Sequence, residues 1–189
     1  MSDPDALCEH ARVLGELLIV TGPPGAGKST VATGLSELCT PSVLIGADEF
    51  FRCLRAGRIE PWLVESDRQN EVVTEAAGAA TGQFVIGGYW TVYDGLIGPW
   101  FLPRFIEAAR LEWVHYVVLL PPVETCLERV ASRVGHGFTD QAATRHMHSQ
   151  FELADLPSRH VIRDCAAGSA HLIDAIAELV EFGRLTYPN

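Results

Sequence analysis

The 189-residue chain carries 14 basic and 24 acidic residues, a formal net charge of −10, with 48% hydrophobic and 20% charged residues. These proportions fit one soluble globular domain with a substantial core. The acidic balance excludes broad binding to nucleic-acid backbones, which needs clustered basic surface. Met1 to Arg12 is polar and acidic, so no signal peptide is expected, and the apolar runs are strand-sized, so no membrane span is expected. The five cysteines (Cys8, Cys39, Cys53, Cys126, Cys165) are scattered and never form a C-x-x-C, which predicts reduced, mostly buried thiols and a cytoplasmic location.

Residues 14–21 form a short apolar run that ends in Gly-Pro-Pro-Gly and predict a buried strand. Residues 28–38 carry apolar positions at Val31, Leu35 and Leu38, the spacing of a helix. Between them stand Gly22, Pro23, Pro24, Gly25, Ala26, Gly27, Lys28, Ser29 and Thr30, the P-loop pattern in the strand-to-helix context that the motif requires. The 14 basic residues are 13 arginines and one lysine, and that lysine is Lys28. Its chance placement inside the pattern is about one in a thousand by composition. An ammonium is a compact charge that fits between phosphate oxygens, unlike the planar guanidinium fork. Gly22 and Gly27 let the backbone amides face a phosphate, and Lys28 is expected to bridge the β- and γ-phosphates. Ser29 is expected to give its hydroxyl to Mg²⁺, and Thr30 to reach the α-phosphate.

Residues 42–46 are a second strand, followed at once by Asp48 and a short helix over 49–56. Asp48 reads either as the cap of that helix or as a base for an acceptor hydroxyl, and Arg52, one turn on, as a partner for an anionic part of the acceptor. Ser66-Asp67-Arg68-Gln69 predicts a capping box that starts a helix running to Ile86. Residues 89–93 are a third strand ending at Asp94-Gly95, which is either a plain turn or an acid that binds the acceptor or a water of the magnesium ion. A helix over 99–110 follows, with Pro99 in its first turn.

Residues 113–120 are the most strand-like stretch, stopped by Pro121-Pro122. Helices over 123–134 and 140–154, a last strand over 160–163 and a final helix over 170–182 complete the chain. Arg129 and Arg133 share one helix face before Gly135-His136-Gly137. They read as a solvated face or as an arginine lid hinged on the glycines, with Arg145 a third member. His146 and His148 are two apart and point in different directions on a helix, which argues against a metal pair. The aromatic residues are core by default, except that Trp62 and Trp100 fall in segments flanking the acceptor side. Strands alternating with helices predict a parallel sheet covered on both faces, with ligands beyond the C-terminal strand ends.

The loop sequence, Asp48, the run Leu127-Glu128-Arg129 to Arg133-Val134-Gly135-His136, and Ser149-Gln150-Phe151-Glu152 with Leu156-Pro157 resemble the small P-loop kinases related to nucleoside monophosphate, shikimate and gluconate kinases. Zeta-toxin-like and chloramphenicol phosphotransferase-like members belong to the same group. The resemblance implies a three-layer α/β/α fold with a five-stranded parallel sheet, an acceptor-binding helical segment near 49–86 and a lid near 133–150. It also implies that Arg129 lies near the adenine or the phosphates. Gluconate kinases have His-Phe-Met-Pro where this chain has His136-Gly137-Phe138-Thr139-Asp140, so the acceptor does not carry over.

The expected function is an ATP-dependent, Mg²⁺-requiring transfer of the γ-phosphate to a small-molecule hydroxyl, with Lys28, Asp48 and Arg133 as the catalytic residues. Arg129 joins the loop in holding nucleotide, and Asp48, Arg52 and Asp94 meet the acceptor. The partners are then a nucleotide and a small molecule, not nucleic acid or membrane. A zeta-toxin-like nucleotide-sugar kinase and an ATP-hydrolysing regulatory protein are the rival readings.

Overall fold

Two six-residue apolar strands set the architecture: β1 (Glu16–Thr21) and β4 (Val114–Leu119) are buried at every position. A strand buried on both faces needs a cover on each. In the computed structural model, which describes residues 15–132, 138–165 and 168–188, helices supply both. Leu18 and Val20 face one core with Val92, Val117 and Leu119, and Leu17 and Ile19 face the other with Tyr93, Tyr116 and Val118. This period of two places α1 (Lys28–Ser36) and α7 (Ser169–Glu181) over the first face. The second is covered by α3 (Asp67–Ile86) and α4 (Leu102–Ala109). The fold is a three-layer α/β/α sandwich.

The remaining strands are β2 (Ser42–Gly46), β3 (Trp90–Asp94), β5 (Val161–Ile162) and β6 (Thr186–Tyr187). Strands run in the order β2-β3-β1-β4-β5, and each neighbouring pair is parallel. The five expected strands are all present. A sixth, β6, pairs antiparallel with the start of β4. Two residues carry no periodic signal, so the sequence did not announce it. The indole of Trp90 donates to the Leu35 carbonyl at 2.9 Å and ties α1 to β3.

Three local expectations need correction. The helix after β2 is α2 (Ala47–Arg52), two residues earlier and shorter than expected, and its N-cap is Gly46. The capping box at Ser66 does not form: Ser66 Oγ donates to the Pro61 and Leu63 carbonyls. Gln69 instead clamps Ile59, accepting from its amide at 2.8 Å and donating to its carbonyl at 2.7 Å. The first turn of α3 thus anchors the preceding loop rather than capping itself. Cys39 is disulfide-bonded, against the expectation of reduced thiols, whereas Cys53, Cys126 and Cys165 are free.

The proline in the first turn of α4 is Pro103, with Pro99 in the turn ahead of it. Two helices complete the described chain, α5 (Val123–Ser132) and α6 (Gln141–Leu153), the latter capped by Asp140, whose side chain accepts from the Ala143 amide. Among the described residues no helix is long and apolar enough to cross a membrane.

Candidate active site

The glycine loop leaves β1 and turns straight into α1. Gly22 (φ 140°) and Gly25 (φ 82°) adopt conformations that side chains rarely take. A Cβ on Gly22 would sit 2.1 Å from the Leu119 carbonyl oxygen, and one on Gly25 2.3 Å from that of Cys126. The loop is therefore wedged between the ends of β1 and β4 and the start of α5. Within it, the Pro23 carbonyl accepts from the Ala26 amide at 3.2 Å and from Lys28 Nζ at 3.0 Å. The lysine side chain folds over the loop it follows.

Gly27, left-handed at φ 100°, is the N-cap of α1. No side chain caps this helix and no acid stands in its first turn. The first amides of a helix lack carbonyl partners, and its dipole places partial positive charge there. An uncapped, acid-free N-terminus beneath a glycine cradle, with a lysine beside it, fits a polyphosphate. Ser29 and Thr30 are exposed on that first turn, where their hydroxyls are accessible to ligand or metal.

Arg129, from α5, donates through Nη1 to the Gly25 and Ala26 carbonyls at 3.3 Å each. The same nitrogen lies 3.5 Å from where a Gly27 side chain would begin. The guanidinium thus rests on the phosphate loop, beside it in space though about 100 residues away in sequence. Burial pushes the nearby Cys126 thiol up to about 11, opposed by the positive charge of Lys28 and Arg129.

On the other side of β1, Asp94 ends β3 in register with Val20 and with Gly46 of β2. Asp48 stands in the first turn of α2 and is not its cap, which removes the capping reading of that residue. Tyr93 lies beneath both acids. Its hydroxyl is held protonated, first by burial and then by the Asp94 and Asp48 carboxylates. Asp48 is exposed and Asp94 half-buried, both at the C-terminal side of the sheet. Arg52 is ion-paired with Glu49 of its own helix rather than turned toward the two acids. Arg133 lies outside the described residues, as do Gly135, His136 and Gly137; Arg145 is exposed on α6.

Some contacts at this edge escaped the sequence reading. Thr21 Oγ1, directly before Gly22, accepts from the Ile97 amide at 2.9 Å, and the Tyr116 hydroxyl donates to the Ile97 carbonyl at 2.8 Å. The loop after Asp94 is thereby fastened to the stem of the phosphate loop. His148 Nε2 donates to the Pro121 carbonyl at 2.8 Å and moors α6 over the end of β4. Trp62 meets Phe138 edge to face at 5.0 Å, and Trp100 tilts against Phe151 of α6 at 5.5 Å. Lone side chains bonding to distant backbone leave no periodic trace. The sequence singled out Trp62 and Trp100 by the segments they fall in, and not their ring partners.

No curated protein sequence matches the chain. Its fold is shared with solved structures that are 18–20% identical to it. The tunicamycin resistance protein of Deinococcus radiodurans is 18% identical with a TM-score of 0.65, over 87% of this chain and 95% of that one. An unliganded sugar kinase from Janibacter is 19% identical with a TM-score of 0.67, over 89% and 94%. Shikimate kinase from Acinetobacter baumannii in complex with shikimate is 20% identical with a TM-score of 0.62, over 94% and 99%. The fold is that of small P-loop kinases. The model of the AAA domain family matches residues 17–154, a span that takes in the glycine loop, both acids, Arg129 and α6. This chain belongs to that AAA domain family.

Proposed function

We propose that the protein is an ATP-dependent phosphotransferase that passes the γ-phosphate to a hydroxyl of a small molecule. One observation carries the reading: an acid-free phosphate cradle with Lys28 and Arg129 lies across β1 from two carboxylates, Asp48 and Asp94. A nucleotide switch needs the cradle and one strand-end acid for its magnesium ion, and the second carboxylate is what an acceptor hydroxyl calls for.

In this reading the loop amides and Lys28 hold the β- and γ-phosphates, and Arg129 contacts the nucleotide from α5. Ser29 is the residue that would hold Mg²⁺, which when bound neutralises charge on the transferred group. Asp94 orients the acceptor, and Arg52 stays with Glu49. Its oxygen attacks the γ-phosphorus, the bond to the β–γ bridging oxygen breaks, and that electron pair leaves with ADP. The hydroxyl proton passes to the Asp48 carboxylate. Arg133 stabilises the charge in flight, within a lid near 133–150 that closes over the acceptor segment near 49–86. Catalysis is then mostly positioning and charge stabilisation. The chain works as a single domain.

The test is ADP release with and without a panel of sugars, nucleosides and hydroxylated antibiotics. The right acceptor raises release well above the hydrolytic background. Asp48→Asn retains ATP binding and loses about 100-fold or more of that stimulated rate. Transfer at the native rate in Asp48→Asn would remove the base assignment, and ATP consumption indifferent to every acceptor would favour a regulatory ATPase.

A further inference from the structure

The segment 95–101, Gly-Leu-Ile-Gly-Pro-Trp-Phe, carries no charge and begins directly after Asp94. It is held from both sides at Ile97, by Thr21 and by Tyr116, both in the sheet core. Three residues on, Trp100 folds its indole back over Gly98. A Cβ there would stand 2.3 Å from the Trp100 ring carbons, so glycine is what lets the ring lie against its own loop. Phe151 props the indole from α6 at 5.5 Å, with the rings 50° apart.

For all this fixing, Trp100 remains 43% exposed. Trp90, whose indole is tied into the core, is 1% exposed. The loop that carries Trp100 leaves the C-terminal end of β3 directly after Asp94, the edge where α/β sheets bind ligands, and its indole meets the helix moored over β4. A rigid, partly exposed aromatic with no charge on its loop suits the flat apolar face of a ring.

We propose that Trp100 is the specificity-determining platform of the acceptor site, its indole stacking on a ring of the acceptor. The substrate class is a hydroxylated cyclic compound, such as a pyranoside or a nucleoside, and not an open-chain polyol. An open chain has no flat face to cover the indole, and its many rotamers add an ordering cost on binding. The assignment rests on the phosphotransferase reading for the word acceptor; the stacking itself does not.

Two arms separate the two ideas in the full-length protein. The first measures acceptor-stimulated ADP release with pyranosides, nucleosides and sorbitol, using Trp100→Ala, Trp100→Phe and, as control, Trp113→Phe at the opposite end of the sheet. The KM for the preferred ring acceptor rises about tenfold or more in Trp100→Ala while kcat holds within about twofold. Trp100→Phe keeps most of the affinity, and Trp113→Phe behaves as wild type. An unchanged KM in Trp100→Ala, or sorbitol as the preferred acceptor, overturns the proposal.

The second arm titrates the same probes against indole fluorescence in the wild type and in Trp100→Phe, with melting temperatures recorded for both. Ring probes change the wild-type signal, sorbitol does not, and Trp100→Phe loses the response. That pattern supports stacking even if no probe is phosphorylated, in which case the phosphotransferase reading alone fails. A response that persists in Trp100→Phe, or one absent from the wild type, overturns the stacking.

Discussion

Ala47 occupies the space that a side chain on Gly95 would need. A Cβ added to Gly95 would lie 2.5 Å from Ala47 Cβ and 2.7 Å from the Tyr93 ring. The first turn of α2 therefore sits directly on the turn that ends β3, and this contact is what brings Asp48 beside Asp94.

Gly95→Ala should force α2 away from that turn. Overpacking at a fixed contact costs about 1–3 kcal/mol. Urea unfolding should show the loss, and the separation of the two acids should appear as impaired acceptor-stimulated transfer with ATP affinity retained. A variant with native stability and native transfer would show that the contact has slack.

Lys28→Arg keeps the charge and changes its shape. The ammonium reaches the Pro23 carbonyl at 3.0 Å within a tight loop, and a guanidinium is wider and planar. Nucleotide affinity should fall about tenfold, or about 1.4 kcal/mol, by calorimetric titration. Equal affinity would mean that charge alone matters at this position.

Thr21→Val is close to isosteric but removes the oxygen that accepts from the Ile97 amide. A buried amide left without a partner costs about 1–3 kcal/mol. Hydrogen exchange should quicken at Ile97 and its neighbours, and the KM for acceptor should rise more than the KM for ATP.

His148→Ala removes the donor to the Pro121 carbonyl and frees one mooring of α6. A loss of about 1 kcal/mol is expected. Amide exchange in α6 should quicken selectively, and uniform quickening across the sheet would contradict a local mooring.

Cys126 gives a pH dependence of known sign. Its thiol is pushed up to about 11 from the ordinary 9.0, chiefly by burial. Between those values the unfolded chain releases the proton and the folded chain keeps it, so stability falls as pH rises. Its contribution is complete below about pH 9 and lost through about pH 11. Cys165 is shifted in the same direction by its own burial. The urea midpoint should therefore drop between pH 9 and 11, and drop less in Cys126→Ala.

The parts of the protein that were legible beforehand are those written locally. Buried strands show as apolar runs, and the phosphate loop is a contiguous string in which Gly22, Gly25 and Gly27 do have positive φ. The neighbourhood of Asp48 and Asp94 was also foreseeable, because parallel topology places both at C-terminal strand ends. What was hidden depends on partners far apart in sequence. Gln69 looked like a capping residue because its true partner, Ile59, lies in an irregular loop. Arg52 looked available because a sequence does not say which of several nearby carboxylates a flexible guanidinium will choose, and here it is Glu49. Thr21 and His148 each make one bond to distant backbone, and neither residue type nor spacing marks such a bond in advance.

The acid-free first turn of α1 has a kinetic consequence in a chain of net charge −10. At long range the protein repels a nucleotide polyanion, and the attraction of the helix end is confined to roughly its first turn. Salt shortens the reach of the repulsion, to about 8 Å at physiological ionic strength, and screens buried short-range contacts much less. Stopped-flow capture of ATP should accordingly speed up when ionic strength is raised from low to physiological. This is the opposite of the slowing seen in electrostatically steered encounters. The nucleotide would meet a shielded doorway rather than an open funnel.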